Sequence, residues 1–216
     1  MQGNLLARGP WSPDRVASVW RADRWQAPAD ADRQADAAVA ELRERGSPAH
    51  DGDAARLADW RTDGDSLHLE LQPARWALRL IDAADSNSLT ALCLVRDEDG
   101  RWLAGRRAGW LATWPNRWAL GAGGAVEVGE DPAETLAREL EEEWRLTPSE
   151  LTVEALASLP SGLIALIGLA TVPAGADPVA DDEHDEFAWW PAEVSSWPAD
   201  ADERLRAMAS ALCGPR

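Results

Sequence analysis

Lysine and tyrosine are both missing from this sequence of 216 residues, which contains one phenylalanine but 13 tryptophans. A bias of this kind suggests a GC-rich genome more than a particular function. Cysteine is also rare, and the two cysteines, Cys93 and Cys213, are too few for a disulfide scaffold or a zinc site. Cys93 lies within an apolar run at residues 89–95, where we expect a buried thiol.

Basic residues are in the minority, and the formal net charge is -17. Nucleic acids and anionic membranes would repel such a surface, so we expect neither as a partner. The longest apolar stretch, residues 163–170, is far too short to span a bilayer. The first residues do not contain a basic segment followed by an apolar run, so no signal peptide is visible and we expect a cytoplasmic protein.

The sequence pattern changes near residue 86. In residues 1–86, an alanine-rich stretch from Pro28 to Arg45 predicts a helix that ends at Gly46. Residues 54–60 and 66–71 predict two strands around a turn, and alternating hydrophobic residues extend the strand pattern to residue 80. Residues 83–87 are typical of a linker. We therefore divide the chain into a first region, residues 1–86, and a second region, residues 87–216.

The second region alternates strands and helices. We expect strands at residues 89–96, 101–107, 117–120, 151–159, 163–172 and 187–190, and helices at residues 132–144 and 202–212. This pattern predicts an α/β (α+β) fold in which a mixed β-sheet is sandwiched between helices. Residues 1–86 would then form an N-terminal helix and a β-rich extension.

The helix predicted at residues 132–144 carries an unusual cluster of carboxylates. Its apolar residues form one stripe at about 100° per residue, which predicts a core-facing side. Glu139, Glu142 and Glu143 fall together on a neighbouring stripe, where like charges destabilise a helix by a few tenths of a kcal/mol per pair. A solvated acidic face is one explanation. The alternative is a bridging divalent cation, because Mg²⁺ prefers oxygen ligands and often binds carboxylates together with substrate phosphates.

The segment from Gly124 to Leu146 resembles the Nudix box, a motif of the form G-x5-E-x7-R-E-U-x-E-E-x-G-U in which U is aliphatic. The matching residues are Gly124, Glu130, Arg138, Glu139, Leu140, Glu142, Glu143 and Leu146. So complete a match should arise by chance about once in ten thousand such chains. Two positions depart from the family pattern: Arg145 replaces the glycine that ends the helix, and Ala122 replaces a proline before the paired glycines.

The resemblance implies a Nudix-type pyrophosphohydrolase that uses Mg²⁺ or Mn²⁺. Its substrate would be a small nucleotide, a nucleoside diphosphate linked to another group such as a sugar, and it would cleave the phosphoanhydride bond. The resemblance further implies that Glu139, Glu142 and Glu143 hold the metal, and that Glu139 or a neighbour such as Glu142 is the general base.

Three other matched positions have structural roles in the family. The resemblance implies an ion pair between Glu130 and Arg138 that anchors the loop before the helix to the helix itself. It also implies that Gly124 lets the backbone come close to the metal site, because glycine has no side chain.

Four further residues are candidates on weaker grounds. Glu183 and Glu186 lie in an acidic run before the last predicted strand, where many family members place another metal-binding or base carboxylate. A solvated acidic loop explains them equally simply. Arg106 and Arg107 end a predicted strand beside the presumed site and could hold a phosphate, although arginines are common on protein surfaces.

Two alternatives to hydrolysis remain open from the residues alone. One is a catalytically weak or inactive nucleotide-binding or sensor protein with the same fold, which only Arg145 and Ala122 support. The other is isopentenyl-diphosphate isomerase chemistry, which needs a pocket cysteine; Cys93 in a buried strand is a poor candidate. Residues 1–86 would pack against the sheet or form a homodimer, and the N-terminal extensions of some nucleotide-sugar pyrophosphatases are a weak analogy.

Overall fold

A computed structural model of the chain describes residues 4–48, 51–81 and 85–213. The strands are β1 (Asn4–Trp11), β2 (Val16–Trp20), β3 (Asp53–Asp63), β4 (Ser66–Arg75), β5 (Leu89–Asp97), β6 (Trp102–Arg107), β7 (Trp118–Leu120), β8 (Ala122–Ala125), β9 (Glu150–Ser158), β10 (Ile164–Val172) and β11 (His184–Trp190). The α-helices are α1 (Ala29–Glu44), α2 (Pro132–Trp144) and α3 (Glu203–Cys213). Short 3-10 helices lie at Pro13–Arg15, Trp76–Leu80 and Val194–Ser196. No helix in the described ranges is long and apolar enough to cross a membrane.

Eight strands form one mixed sheet in the order β1-β9-β10-β5-β6-β11, with β7 paired to β6 and β8 paired to β5. The central strand β5 runs parallel to β10, from the pair Leu89–Ile164 to the pair Asp97–Val172. On its other side, β5 pairs with β8 and β6 in antiparallel fashion. This arrangement places β8, which contains the paired glycines of the motif, beside the middle of the sheet.

Both faces of this sheet are buried. Successive residues of a strand point to opposite faces of the sheet, so two neighbouring residues of β10 show what covers each face. Leu166 of β10 packs in the core layer that contains Leu136 and Leu140 of α2. The next residue, Ile167, packs in the layer that contains Leu205 of α3. The sheet is therefore sandwiched between helices, which confirms the predicted α+β fold.

The first region adds a second sheet of three strands, in the order β2-β4-β3. The alternating Leu67, Leu69 and Leu71 of β4 are fully buried and belong to the same core layer as α2. In addition, β1 pairs with β9 at the edge of the large sheet. The sequence boundary near residue 86 therefore lies within one continuous core.

Two expectations for the first region differ from the structure. The strand pattern does not continue to Leu80. Residues 76–80 form a 3-10 helix in which the neighbours Ala77 and Leu78 are both buried, whereas a strand with one buried face would bury only every second residue. The strands β1 and β2 were not predicted. The helix predicted from residue 28 to residue 45 is confirmed as α1, whereas residues 83 and 84 of the predicted linker lie outside the described residues.

Candidate active site

The N-terminus of α2 and the loop before it are held by both regions of the chain. The Asp131 side chain accepts a hydrogen bond at 2.8 Å from the backbone N–H two residues later, as an N-cap residue should. The Trp20 indole of β2 donates to the backbone oxygen of Glu130 at 3.3 Å. The Ala55 N–H of β3 donates to the Val126 oxygen at 2.8 Å. The three-stranded sheet thus positions the loop that precedes the carboxylates.

Arg138 is the centre of an ion-pair network on α2. Its Nε lies 2.6 Å from Oε1 of Glu130 and its Nη2 lies 3.2 Å from Oε2, so the pair is bidentate. The Nη1 atom lies 2.7 Å from Oε2 of Glu142, and Nη2 lies 2.9 Å from Oε1 of Glu139. Arg138 therefore ties the loop to the helix and also holds two of the predicted metal ligands.

The carboxylate of Glu139 lies directly against the backbone of Gly124. A Cβ atom at position 124 would lie 2.6 Å from Glu139 Oε2 and still closer to Oε1, so any other residue would displace the carboxylate. Glu139 is only 8% exposed, and burial raises its pKa to about 7 although Arg138 acts in the opposite direction. A carboxylate with such a pKa can exchange a proton near neutral pH.

Glu143 lies deeper, at 4% exposure. Its Oε1 accepts a hydrogen bond at 2.8 Å from the Gly123 N–H. Its Oε2 has no hydrogen-bond partner within the described part of the chain, and His184 Nε2 is 3.7 Å away. Burial raises the pKa of Glu143 well above its ordinary value. One oxygen of the buried Glu143 carboxylate is therefore without a hydrogen-bond partner among the described residues.

His184 connects Glu143 to the start of β11. Its Nδ1 lies 3.3 Å from Oδ1 of Asp181, and its ring stacks against Trp144 with 4.3 Å between the centroids. The Asp181 N–H also donates to the Glu143 backbone oxygen at 3.0 Å. These contacts fix the segment before β11 against the C-terminal end of α2.

The four weaker candidates fall in two different places. Arg107 and Glu183 lie 3.7 Å apart, and burial raises the pKa of Glu183 although Arg107 opposes the shift. Arg106 and Glu186 form a half-exposed ion pair at 2.9 Å that lines a separate surface depression. The structure therefore brings Arg107 and Glu183, but not Arg106 and Glu186, to the same place as Glu139.

A cleft of about 600 Å³ opens over Glu139, and we call it the active-site cleft. From the second region it is lined by Gly123, Gly124, Arg138, Glu139, Glu183, Arg107 and Trp110, among others. From the first region it is lined by Trp76, Arg79 and Leu80 and by residues near the end of α1. Its size falls in the usual range for small-molecule sites.

The three carboxylates of the predicted metal site do not form one cluster. The Glu142 side chain is 55% exposed and pairs with Arg138. In residues 4–48, 51–81 and 85–213, no group of three or more histidine, cysteine or acidic side chains is arranged to hold a metal ion. Glu139 and Glu143 nevertheless fit a divalent cation by their chemistry, because buried carboxylates need a compensating charge and Mg²⁺ prefers oxygen ligands.

The sequence did not reveal the roles of His184, Arg79 and Trp76. His184 is the only histidine in the acidic run at residues 181–186, and that position was a signal that could have been used. Arg79 and Trp76 lie where the sequence predicted a continuing strand. Both side chains line the cleft because residues 76–80 form a 3-10 helix and not the predicted strand.

A family model described as NUDIX domain matches residues 87–212. The chain belongs to the Nudix family. This match confirms the resemblance found in the motif and the prediction of a Nudix-type pyrophosphohydrolase. No curated protein matches the Nudix chain significantly.

Several solved structures are similar to this Nudix protein. A MutT protein from Methanosarcina mazei Go1 has 24% identity and a TM-score of 0.46, with 59% of this chain and 96% of that chain covered. The NUDIX domain of Shewanella oneidensis NrtR, complexed with ADP ribose, has 18% identity and a TM-score of 0.48, with 60% and 90% covered. A C. elegans Ap4A hydrolase in a binary complex has 21% identity and a TM-score of 0.45, with 58% and 99% covered.

Proposed function

We propose that this Nudix protein is a cytoplasmic, Mg²⁺- or Mn²⁺-dependent hydrolase that cleaves the phosphoanhydride bond of a nucleoside diphosphate linked to another group. The observation that carries the proposal is the position of Glu139, a buried carboxylate that lies against Gly124 and lines a cleft large enough for a nucleotide. A carboxylate at this position can act as the general base for the attacking water. A homodimer remains a prediction.

Glu139 and Glu143 would hold the metal, with Glu142 as the third ligand. A bound divalent cation would neutralise the diphosphate and lower the pKa of a water molecule. The Oε2 of Glu143, which has no hydrogen-bond partner among the described residues, and the raised pKa of both buried carboxylates support this assignment, because a cation would relieve the cost of burying two negative charges.

The residues of the chain would then act on water and on phosphate. Glu139 accepts the proton of the attacking water, with Glu142 as the alternative base. The water oxygen forms a bond to one phosphorus as the bond between that phosphorus and the bridging oxygen breaks, which gives two phosphate-containing products. Arg107 would bind a phosphate oxygen, since its guanidinium lies in the cleft beside Glu183.

A panel of nucleoside diphosphate derivatives, tested with Mg²⁺ and with Mn²⁺, would test the proposal. Hydrolysis in ¹⁸O-labelled water should place the label on a phosphate-containing product. Glu139→Gln should lower kcat at least about a hundredfold, the low end of what a positioned general base contributes. The matched control is Glu141→Gln on the exposed side of α2, which should retain kcat. The absence of turnover by the wild type across the whole panel would contradict the hydrolase proposal.

A non-catalytic nucleotide sensor is the second candidate. The observation that favours it is that Arg138 pairs with both Glu139 and Glu142, so that two of the predicted metal ligands are already bound to a cationic side chain of the protein. A sensor would bind one nucleotide with similar affinity in the wild type and in Glu139→Gln, and neither protein would release product.

The structure offers no support for isomerase chemistry through Cys93. This side chain is 1% exposed, within the core, and burial raises the pKa of its thiol to about 12. A thiol in this environment is inert.

A further inference from the structure

The 3-10 helix Trp76–Leu80 forms a wall of the active-site cleft. Its Ala77 and Leu78 are buried against α1, in a small core with Ala35 and Val39. The remaining side chains, those of Trp76, Arg79 and Leu80, line the cleft. Because α1 supports this short helix from behind, its cleft-facing side chains are held on a packed element.

Arg79 is the unusual residue of this wall, because it is half-buried and its guanidinium has no carboxylate within 4.0 Å among the described residues. Within residues 4–48, 51–81 and 85–213 its one hydrogen bond is a long one, 3.4 Å from Nη2 to the Thr90 hydroxyl oxygen. The Thr90 hydroxyl itself donates to the Gly124 backbone oxygen at 2.6 Å. Burial lowers the pKa of Arg79 to about 10, and the nearby Arg107 acts in the same direction. The carboxylates of Glu139 and Glu183 raise the pKa of Arg79, but neither pairs with it directly, so the N–H donors of Arg79 can bind an anion from solution.

Other arginines of the first region show the ordinary arrangement. Arg75, only four residues earlier, is bound by three aspartates of the first region. Arg21 pairs with Glu70 at 2.8 Å, and Arg24 pairs with Asp53 at 2.9 Å. Arg56 also has no carboxylate partner, but its guanidinium donates to three oxygen atoms, those of Ser86, Gln72 and Asp85. Arg79 differs from all of these arginines because it has neither a close carboxylate nor a full set of acceptors among the described residues, and it lies in the cleft.

The surroundings of Arg79 suit a phosphate. Arg107 lines the same cleft, so two guanidinium groups lie near the carboxylates of Glu139 and Glu183. The Arg79 guanidinium lies over the Trp76 ring, 5.8 Å from its centroid, a contact that helps to orient it. A guanidinium presents a planar fork of N–H donors that matches two phosphate oxygens at once.

We propose that Arg79 binds a phosphate group of the substrate, so that the first region contributes directly to the substrate site. This inference rests on the proposed function, in which the substrate carries a diphosphate. Arg79 would bind this diphosphate opposite the metal-binding carboxylates of the Nudix helix. The Nudix domain alone, residues 87–212, would then lack one of its phosphate-binding groups.

The test is a calorimetric titration with adenosine 5′-(α,β-methylene)diphosphate in the presence of Mg²⁺, since the methylene bridge of this probe resists hydrolysis. We expect Arg79→Gln to raise Kd at least tenfold and Arg79→Lys to raise it at least threefold, because lysine keeps the charge but loses the fork. The matched control is Arg61→Gln, on the exposed end of β3 outside the cleft, which should change Kd less than twofold.

Two further measurements separate binding from a structural role. Urea unfolding should find Arg79→Gln at least as stable as the wild type, because the substitution removes a poorly solvated charge. With a substrate found in the panel, Arg79→Gln should raise KM more than it lowers kcat. If Arg79→Gln does not fold, the Kd of Arg79→Lys decides: a threefold rise supports the proposal and an unchanged value overturns it.

A Kd within twofold of the wild type in a folded Arg79→Gln protein would overturn the inference, as would a wild type that does not bind the probe. These outcomes are distinct from failure of the proposed function. If the wild type turns over a substrate and Arg79→Gln has an unchanged Kd, the protein is a hydrolase and Arg79 does not bind the phosphate. If the wild type has no turnover but Arg79→Gln binds the probe ten times more weakly than the wild type, Arg79 is supported as the phosphate-binding residue of a sensor.

Discussion

Glu139 and Gly124 are matched in shape: the carboxylate occupies the space in which a side chain at position 124 would lie. The two residues are 15 positions apart in the sequence, on α2 and β8, and the packing of the helix on the sheet brings them together. Gly124 is therefore required for its lack of a Cβ atom. The first prediction tests this relationship.

Gly124→Ala should displace the Glu139 carboxylate and lower kcat/KM for a panel substrate about a hundredfold, since a misplacement of about 1 Å can cost this much. Steady-state kinetics measure the effect. The control is a double-mutant cycle with Glu139→Gln: if position 124 acts through Glu139, the double variant should be no slower than Glu139→Gln alone. If the two effects are fully additive, the substitution at position 124 acts independently of Glu139.

The second prediction concerns the metal. Millimolar Mg²⁺ should raise the Tm of the wild type, because a ligand at ten times its Kd stabilises the folded state by about 1.4 kcal/mol. Replacing Glu142 and Glu143 together by glutamine should abolish this increase and leave the metal-free protein at least as stable, since a buried negative charge is removed. Glu141→Gln, an exposed neighbour, should retain the increase. If Mg²⁺ raises the Tm of the double variant as much as that of the wild type, neither residue binds the metal.

The third prediction concerns pH. The pKa of Glu139 is about 7 in the folded protein against an ordinary value of 4.5, so the folded state binds more protons than the unfolded state between these values. Stability of the metal-free protein should therefore fall as pH rises from about 4.5 to 7, by at most about 3 kcal/mol from this residue. The raised pKa of Glu143 adds a loss in the same direction.

Urea unfolding at pH 5 and pH 8, in the presence of a chelator, measures this dependence. Glu139→Gln removes the titration of Glu139 and also reduces the pKa shift of Glu143, because the Glu139 charge contributes to that shift. Both changes act in the same direction. The variant should lose less stability than the wild type between the two pH values. An equal loss in both proteins would mean that Glu139 titrates at its ordinary pKa in the folded state.

The fourth prediction concerns Arg145, which ends α2 in the left-handed conformation with φ 54° and ψ 35°. A side chain makes this conformation unfavourable by about 1–2 kcal/mol, whereas glycine adopts it readily. Part of this gain is offset because glycine also increases the entropy of the unfolded chain. Arg145→Gly should therefore stabilise the protein by several tenths of a kcal/mol to about 1 kcal/mol in urea unfolding.

Arg145→Ala is the matched control, because it removes the long side chain but keeps the Cβ atom. It should not stabilise the protein. If Arg145→Gly instead destabilises by more than about 1 kcal/mol, the arginine makes favourable interactions that outweigh the strain of its backbone.

Much of the Nudix helix could be predicted because the residues that determine it are close together in the sequence. The N-cap at Asp131, the stripe of apolar residues and the glutamate spacing all lie within 15 residues, and the predicted helix has the observed bounds, residues 132–144. The position of Arg145 at a site that favours glycine could also be predicted, and its positive φ confirms this expectation. Hydrogen bonds and periodicity within one helix do not depend on distant parts of the chain.

The sequence by itself thus determined the family, the α+β fold and the helix that carries the glutamates. Only the tertiary structure decided which glutamates are buried: Glu139 and Glu143 lie under the sheet and its loops, whereas Glu142 faces solvent. It also decided that His184 and Arg79, each about 40 to 60 residues away along the chain, come to the site. Burial, pKa and ion pairing depend on contacts between distant segments, and a pattern of neighbouring residues does not contain that information.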